Sequence, residues 1–138
     1  MAAARSFLLL GALYGASGVA LGAFGAHGLK ARISEAALAT WSTAVTYQLT
    51  HALALLGVGI WLRFMQASAH SPAGTVITAL GVAGWAMALG VVLFSGSLYA
   101  LALGGPKLLG PVTPLGGLAF IAGWLALAVA ALRLPGAA

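Results

Sequence analysis

His27 and His51 are the residues of this sequence best placed to do chemistry: His51 stands among hydroxyls at helical spacing, and His27 closes the first apolar run. Tyr47 and His51 are four positions apart and can bond each other on one helix face. At ~100° per residue, Thr43, Thr46, Thr50 and Ala54 fall with them in a sector about 140° wide. Ser95, Tyr99 and Thr113 supply further hydroxyls from later in the chain. Polar groups in hydrocarbon need partners, so the Thr43–Ala54 face is expected to point into a helix bundle. An ionisable group at membrane depth invites a proton-relay reading for His51. Its structural alternative is a neutral imidazole bonded to a hydroxyl such as Tyr99 or Ser95, fixing helix register. His27, among glycines at a helix end, suits a carbonyl cap or a headgroup contact, and His70 reads as a loop residue.

Several chemistries are excluded by what surrounds these residues. Glu35 is the single acid, so paired-carboxylate hydrolysis and hard-cation sites lack their groups. With no cysteine there is neither a disulfide nor a thiol nucleophile. Ser95-Gly-Ser does not form the G-x-S-x-G nucleophile elbow. A metal held by His27 and His51 would need both rings within ~2.1 Å of one ion, whereas simple register sets their backbones at different depths. No metal or cofactor is expected, and no enzymatic activity.

The elements that must position these residues follow from composition. Of 138 residues, 62% are hydrophobic and only 5% charged, against roughly 25% charged in a soluble domain. Apolar runs over about 6–26, 42–63, 75–103 and 114–133 match the length needed to cross ~30 Å of hydrocarbon at ~1.5 Å per residue. The expected fold is all-α: a polytopic membrane protein, a four-transmembrane-helix bundle forming one domain over residues 1–138. The pI near 10.5 comes from scattered cations without a basic cluster, which excludes a nucleic-acid partner and fits contact with the lipid bilayer's phosphates. The run from Ser6 to Ala26 exceeds the ~7 to 15 residues of a signal-peptide core, so a retained span is expected.

Local signals refine the spans. Ser34 is a suitable N-cap for the second helix, and Glu35 complements its positive end. Trp41 and Trp61, about 30 Å apart along a helix, fit the two aromatic belts, with Arg63 snorkelling beyond. Gln66 to Gly74 reads as a loop, and Gly104 to Thr113 is turn-rich, with Thr113 as N-cap and Pro114 opening the fourth span. Gly11, Gly15, Gly18, Gly22 and Gly25 recur every 3.5 residues on average, one smooth stripe. Gly81 and Gly84 begin a similar face in the third span. In lipid, close backbone approach along small residues supplies packing energy, so these glycines are read as helix-packing positions.

Four motifs in order, Gly22-Ala-Phe-Gly-Ala-His-Gly-Leu29, Tyr47-x-x-x-His51-Ala-Leu, Leu93-Phe-Ser-Gly-Ser-Leu-Tyr99 and Thr113-Pro-Leu-Gly-Gly117 through Gly123-Trp124, resemble a known family. The chain is similar to domain-of-unknown-function family 423, which includes bacterial YgdD and eukaryotic transmembrane protein 256. The resemblance implies a small four-span protein of the bacterial inner membrane, or of mitochondria in eukaryotes, and implies no activity. Charge leaves orientation tied, Arg5, Arg63 and Arg133 standing against Lys30, Arg32 and Lys107. The resemblance tips the expectation to cytoplasmic termini.

Two functions follow as expectations. The first is a non-enzymatic component acting as a homo-oligomer or within a larger membrane complex, because 20 glycines exceed what four internal seams need. The second is a small proton or solute carrier. In it His27, Thr43, Tyr47, Ser95, Tyr99 and Thr113 form a polar vestibule opposite the termini, with His51 at its floor.

Overall fold

A computed structural model describes residues 2–67 and 74–134. His70, Ser71 and Pro72 lie outside the described residues. The architecture is a bundle of helices in which four segments, Ala2–Leu29, Glu35–Ala67, Gly74–Ala102 and Lys107–Leu132, are long and apolar enough to cross a membrane. In a bilayer the backbone must satisfy its own hydrogen bonds, and the helix does this within one segment.

Helix α1 (Ala2–Ala23) continues as a π-helical turn, Phe24–Leu29, which carries His27. Helix α2 (Glu35–Ala67) follows a short turn. As expected, the Ser34 hydroxyl accepts a hydrogen bond from the Ala37 N–H at 3.2 Å. The third segment is α3 (Gly74–Gly90), a second π turn at Val91–Ser95, and α4 (Gly96–Ala102). Gly104 ends it at φ 80°, where the Gly105 N–H reaches back to the Ala100 carbonyl and the Gly104 N–H to that of Leu101. Among the described residues, that left-handed closing turn is the one position where the backbone itself demands glycine. A 3-10 turn, Lys107–Leu109, leads into α5 (Val112–Leu132). The last helix therefore starts before the expected Thr113 and Pro114. Pro111 sits at its N-cap in helical geometry, and the Thr113 hydroxyl is engaged with Ser97 instead of capping.

Large side chains fit into glycine gaps along two antiparallel seams. A Cβ at Gly11 would stand 2.9 Å from Leu56, and at Gly18 2.7 Å from Leu49. One at Gly25 would stand 2.6 Å from Trp41, and at Gly22 3.3 Å from Val45. These contacts zip α1 and its π turn onto α2. In the other seam Gly90 receives Phe120, Gly116 lies against the Phe94 backbone, and Gly123 would meet Met87 at 2.8 Å. Gly84 receives the Phe7 ring and so joins the two seams. Such contacts are the van der Waals gain that holds helices together where apolar surface has no water to escape. Gly15 and Gly81, expected to do the same, have nothing within 4 Å of a Cβ.

The main core gathers Phe7, Leu55, Leu62, Leu80 and Met87, with Ala4, Met65, Val76 and Ala130 marking the end where the four spans carry Arg5, Arg63 and Arg133. A smaller cluster at the opposite end packs Leu29, Trp41 and Ala102. Trp41 does not face outward as a belt residue would: it is 3% exposed, donates from Nε1 to the Leu21 carbonyl at 2.9 Å, and packs against Tyr99 and Phe24. Its ring fills the gap that Gly25 leaves for it instead of facing lipid.

Candidate functional site

The buried face of α2 runs through Trp41, Ala44, Gln48, His51, Ala52 and Leu55. It is rotated from the expected face of threonines. Thr43, Thr46 and Thr50 are exposed and donate to the carbonyls of Ala39, Ser42 and Thr46 at 3.0, 3.0 and 2.8 Å. A threonine that back-bonds one turn away needs no partner in the bundle and can face lipid. Tyr47 is likewise corrected: it is 41% exposed, its ring lying 4.4 Å from that of Phe94. Aromatic packing, rather than an inward polar contact, fixes it.

At the centre of the buried face stands Gln48, which is not among the residues expected there. It is 4% exposed. Its Nε2 donates to the Tyr14 carbonyl and to the Ser17 hydroxyl, both at 2.9 Å. Its Oε1 accepts from the Tyr99 hydroxyl at 2.8 Å. Both amide hydrogens are therefore used, and one side chain links α1, α2 and α4. Tyr14 extends the network by donating to the Ala88 carbonyl of α3 at 3.2 Å. The available signal was composition: with Gln66, Gln48 is the chain's only amide side chain, and an amide in mid-span must find partners on neighbouring helices.

His51, 4% exposed, bonds neither Tyr99 nor Ser95. Its Nδ1 lies 2.7 Å from the Tyr47 carbonyl, and the Trp124 indole N–H donates to Nε2 at 3.2 Å. A carbonyl only accepts and an indole N–H only donates. The partners therefore define a neutral imidazole with its proton on Nδ1. The ring stacks on Phe120 with centroids 3.5 Å apart and planes 12° from parallel.

The remaining hydroxyls serve as pairwise ties. Ser95, delivered by the second π turn, donates to the Ala44 carbonyl of α2 at 2.9 Å. A π turn often marks a place where a helix must re-aim its side chains, and here it also sets Phe94 against Gly116. Ser97 and Thr113 share a 2.7 Å hydrogen bond between α4 and α5. His27 is exposed on the first π turn. Of the expected vestibule, the structure joins Tyr47 to His51 and Thr113 to Ser97, and brings Tyr99 to Gln48. Thr43 and His27 stand outside these contacts. The cavity of about 240 Å³ at this end is lined by residues from Gly22 to Thr46, among them Trp41 and Ser42, and not by His51. Among the described residues, Gln66 Oε1 is the buried side-chain polar atom left without a hydrogen bond.

These features define an integral membrane protein: an all-helical bundle of four spans whose interior polar groups bond one another across helix seams. Residues 21–117 match the family described as "Protein of unknown function (DUF423)", and the chain belongs to that family. It is similar to a UPF0382 membrane protein of Staphylococcus epidermidis, 43% identical over 132 residues that cover 96% of this chain and 99% of the relative. The UPF0382 membrane protein YwdK of Bacillus subtilis is 46% identical over 129 residues, covering 94% of this chain and 98% of YwdK. No solved structure matches the chain. The family carries no known activity, and the relatives' names say only that they are membrane proteins of bacteria.

Proposed function

We propose that this protein is a non-enzymatic component of the bacterial cytoplasmic membrane, with both termini on the cytoplasmic side, that works by associating with itself or with a larger membrane complex. The observation that supports this reading is the division of its glycines. Gly11, Gly18, Gly25 and Gly84 are filled by neighbours within the chain, whereas Gly15 has open space around it. Gly15 lies in an apolar groove of about 310 Å³ with Val19, Leu49, Ala52 and Leu53. A helix from another chain can approach closely there, as small residues allow in lipid. The test is the subunit count by native mass spectrometry from lipid nanodiscs, comparing the protein with Gly15→Leu. Loss of the oligomer with the protomer still folded supports association through this groove; an unchanged subunit count for Gly15→Leu, or a monomeric parent, contradicts it. Gly18→Leu would not serve, because its side chain would collide with Leu49 of the same chain.

The carrier reading, with a vestibule leading to His51, draws on one observation: an ionisable ring buried in mid-span. Against it stands the occupation of both ring nitrogens by Tyr47 and Trp124. Equal proton flux through His51→Ala and parent liposomes between about pH 5 and 8, the range over which histidine changes charge, would remove that reading.

A further inference from the structure

A second apolar opening lies between α2 and α5, a cleft of about 580 Å³. Among the described residues no backbone contact links these two helices, although α3 packs against both. Side chains bridge them where Trp124 donates to His51 and where Phe120 stacks on the rings of His51 and Tyr47. Beyond that bridge the walls are Ala54, Gly57 and Trp61 on one side and Trp124, Ala128 and Ala131 on the other. From Ala54 to Trp61 the cleft is about 10 Å long at ~1.5 Å per residue. It is apolar and runs from Trp124, the partner of His51, to Trp61 and Ala131, towards the end of the bundle that carries Arg5, Arg63 and Arg133.

We infer that this cleft holds one acyl chain of an anionic phospholipid from the leaflet on the Arg5, Arg63 and Arg133 side. Two arguments select this occupant. The first is size: two helical turns on each wall offer far less than the about 800 Å² per partner that a stable protein interface buries. A hydrocarbon chain fits such a slot and leaves no void in the bilayer. The second is charge. Arg63 and Arg133 stand two positions beyond Trp61 and Ala131, at the level of the headgroups. The only acidic side chain, Glu35, is at the opposite end of the bundle. The two arginines are on the far sides of their helices from the cleft, so their attraction for a phosphate acts through the field of that end, as a basic face acts on anionic lipid.

The experiment places the full-length protein in vesicles of phosphatidylglycerol or of phosphatidylcholine, each carrying a dibrominated acyl chain, and follows quenching of tryptophan fluorescence. Comparison with Trp124→Phe and Trp85→Phe isolates the two reporters. Trp124 lines the cleft, while Trp85 is an exposed ring packed edge-on against Phe7 elsewhere on the bundle. At Trp124 the brominated phosphatidylglycerol should be retained roughly fivefold more strongly than the choline lipid, the factor one surface arginine supplies, with no such preference at Trp85. A Cβ at Gly57 has open space around it, so Gly57→Leu extends into the cleft and should abolish the excess at Trp124. Gly57→Ala, which leaves room for a chain, should keep it and serves as the folding control. Equal quenching by the two lipids, equal behaviour of Trp124 and Trp85, or no effect of Gly57→Leu would each overturn the proposal. So would a native mass spectrum in which Gly57→Leu releases a second protein copy rather than a lipid.

Discussion

The two halves of α2 are fastened in different ways. From Trp41 to His51 the helix is tied to each of the other three spans by polar bonds: Trp41 to Leu21, Ala44 to Ser95, Gln48 to Tyr14, Ser17 and Tyr99, and His51 to Trp124. From Leu55 to Met65 the buried side chains are apolar, and the seam with α5 stays open. In hydrocarbon a polar side chain has few alternative partners, so it specifies one register. Apolar packing tolerates gaps that lipid can fill. The polar half therefore sets how the spans align, and the apolar half leaves surface for something outside the chain.

The comparison breaks most visibly at the glycine seams, which both halves need. Gly116→Leu would drive a side chain into the Phe94 backbone. Its cost should exceed the about 1–3 kcal/mol of ordinary overpacking, and no folded protein should survive size-exclusion chromatography. Next in size is Gln48→Leu. It removes three hydrogen bonds worth about 0.6 kcal/mol each on average and up to about 1.7 in membranes. A loss of roughly 2–3 kcal/mol is expected in unfolding by SDS titration. The smallest effect belongs to the exposed face of the same half. Thr46→Val deletes only a back-bond to Ser42 and should change stability by less than about 0.5 kcal/mol. A large loss there would place the threonine face inside an interface and reverse the assignment of surfaces.

Much of the fold was legible before any coordinates, because run length against bilayer thickness leaves little choice: four spans were expected and four helices of spanning length are present. Ser34 announced its cap correctly. Gly11, Gly18, Gly22, Gly25 and Gly84 could be picked from spacing, but the stripe could not tell Gly18, which meets Leu49, from Gly15, which meets nothing. That distinction depends on which neighbour arrives opposite, a property of the pair of helices. The rotation of α2 is not legible from its hydroxyls, because Thr43 and Thr46 satisfy themselves locally and need no inward partners. The π turns at Phe24–Leu29 and Val91–Ser95 left no mark in the apolar pattern, since one extra residue in a uniformly apolar helix changes no polarity. His51 was found by its burial logic; its partner Trp124 was not, because two residues 73 positions apart share no local signal.

The most direct test of polar fastening is a double-mutant cycle of Gln48→Leu and Tyr99→Phe, read as unfolding free energy in the same detergent mixture. The account predicts a coupling of at least about 0.6 kcal/mol, the average for a hydrogen bond between membrane helices, because the 2.8 Å bond between these side chains exists only when both are present. Strictly additive losses, with no coupling, would contradict it.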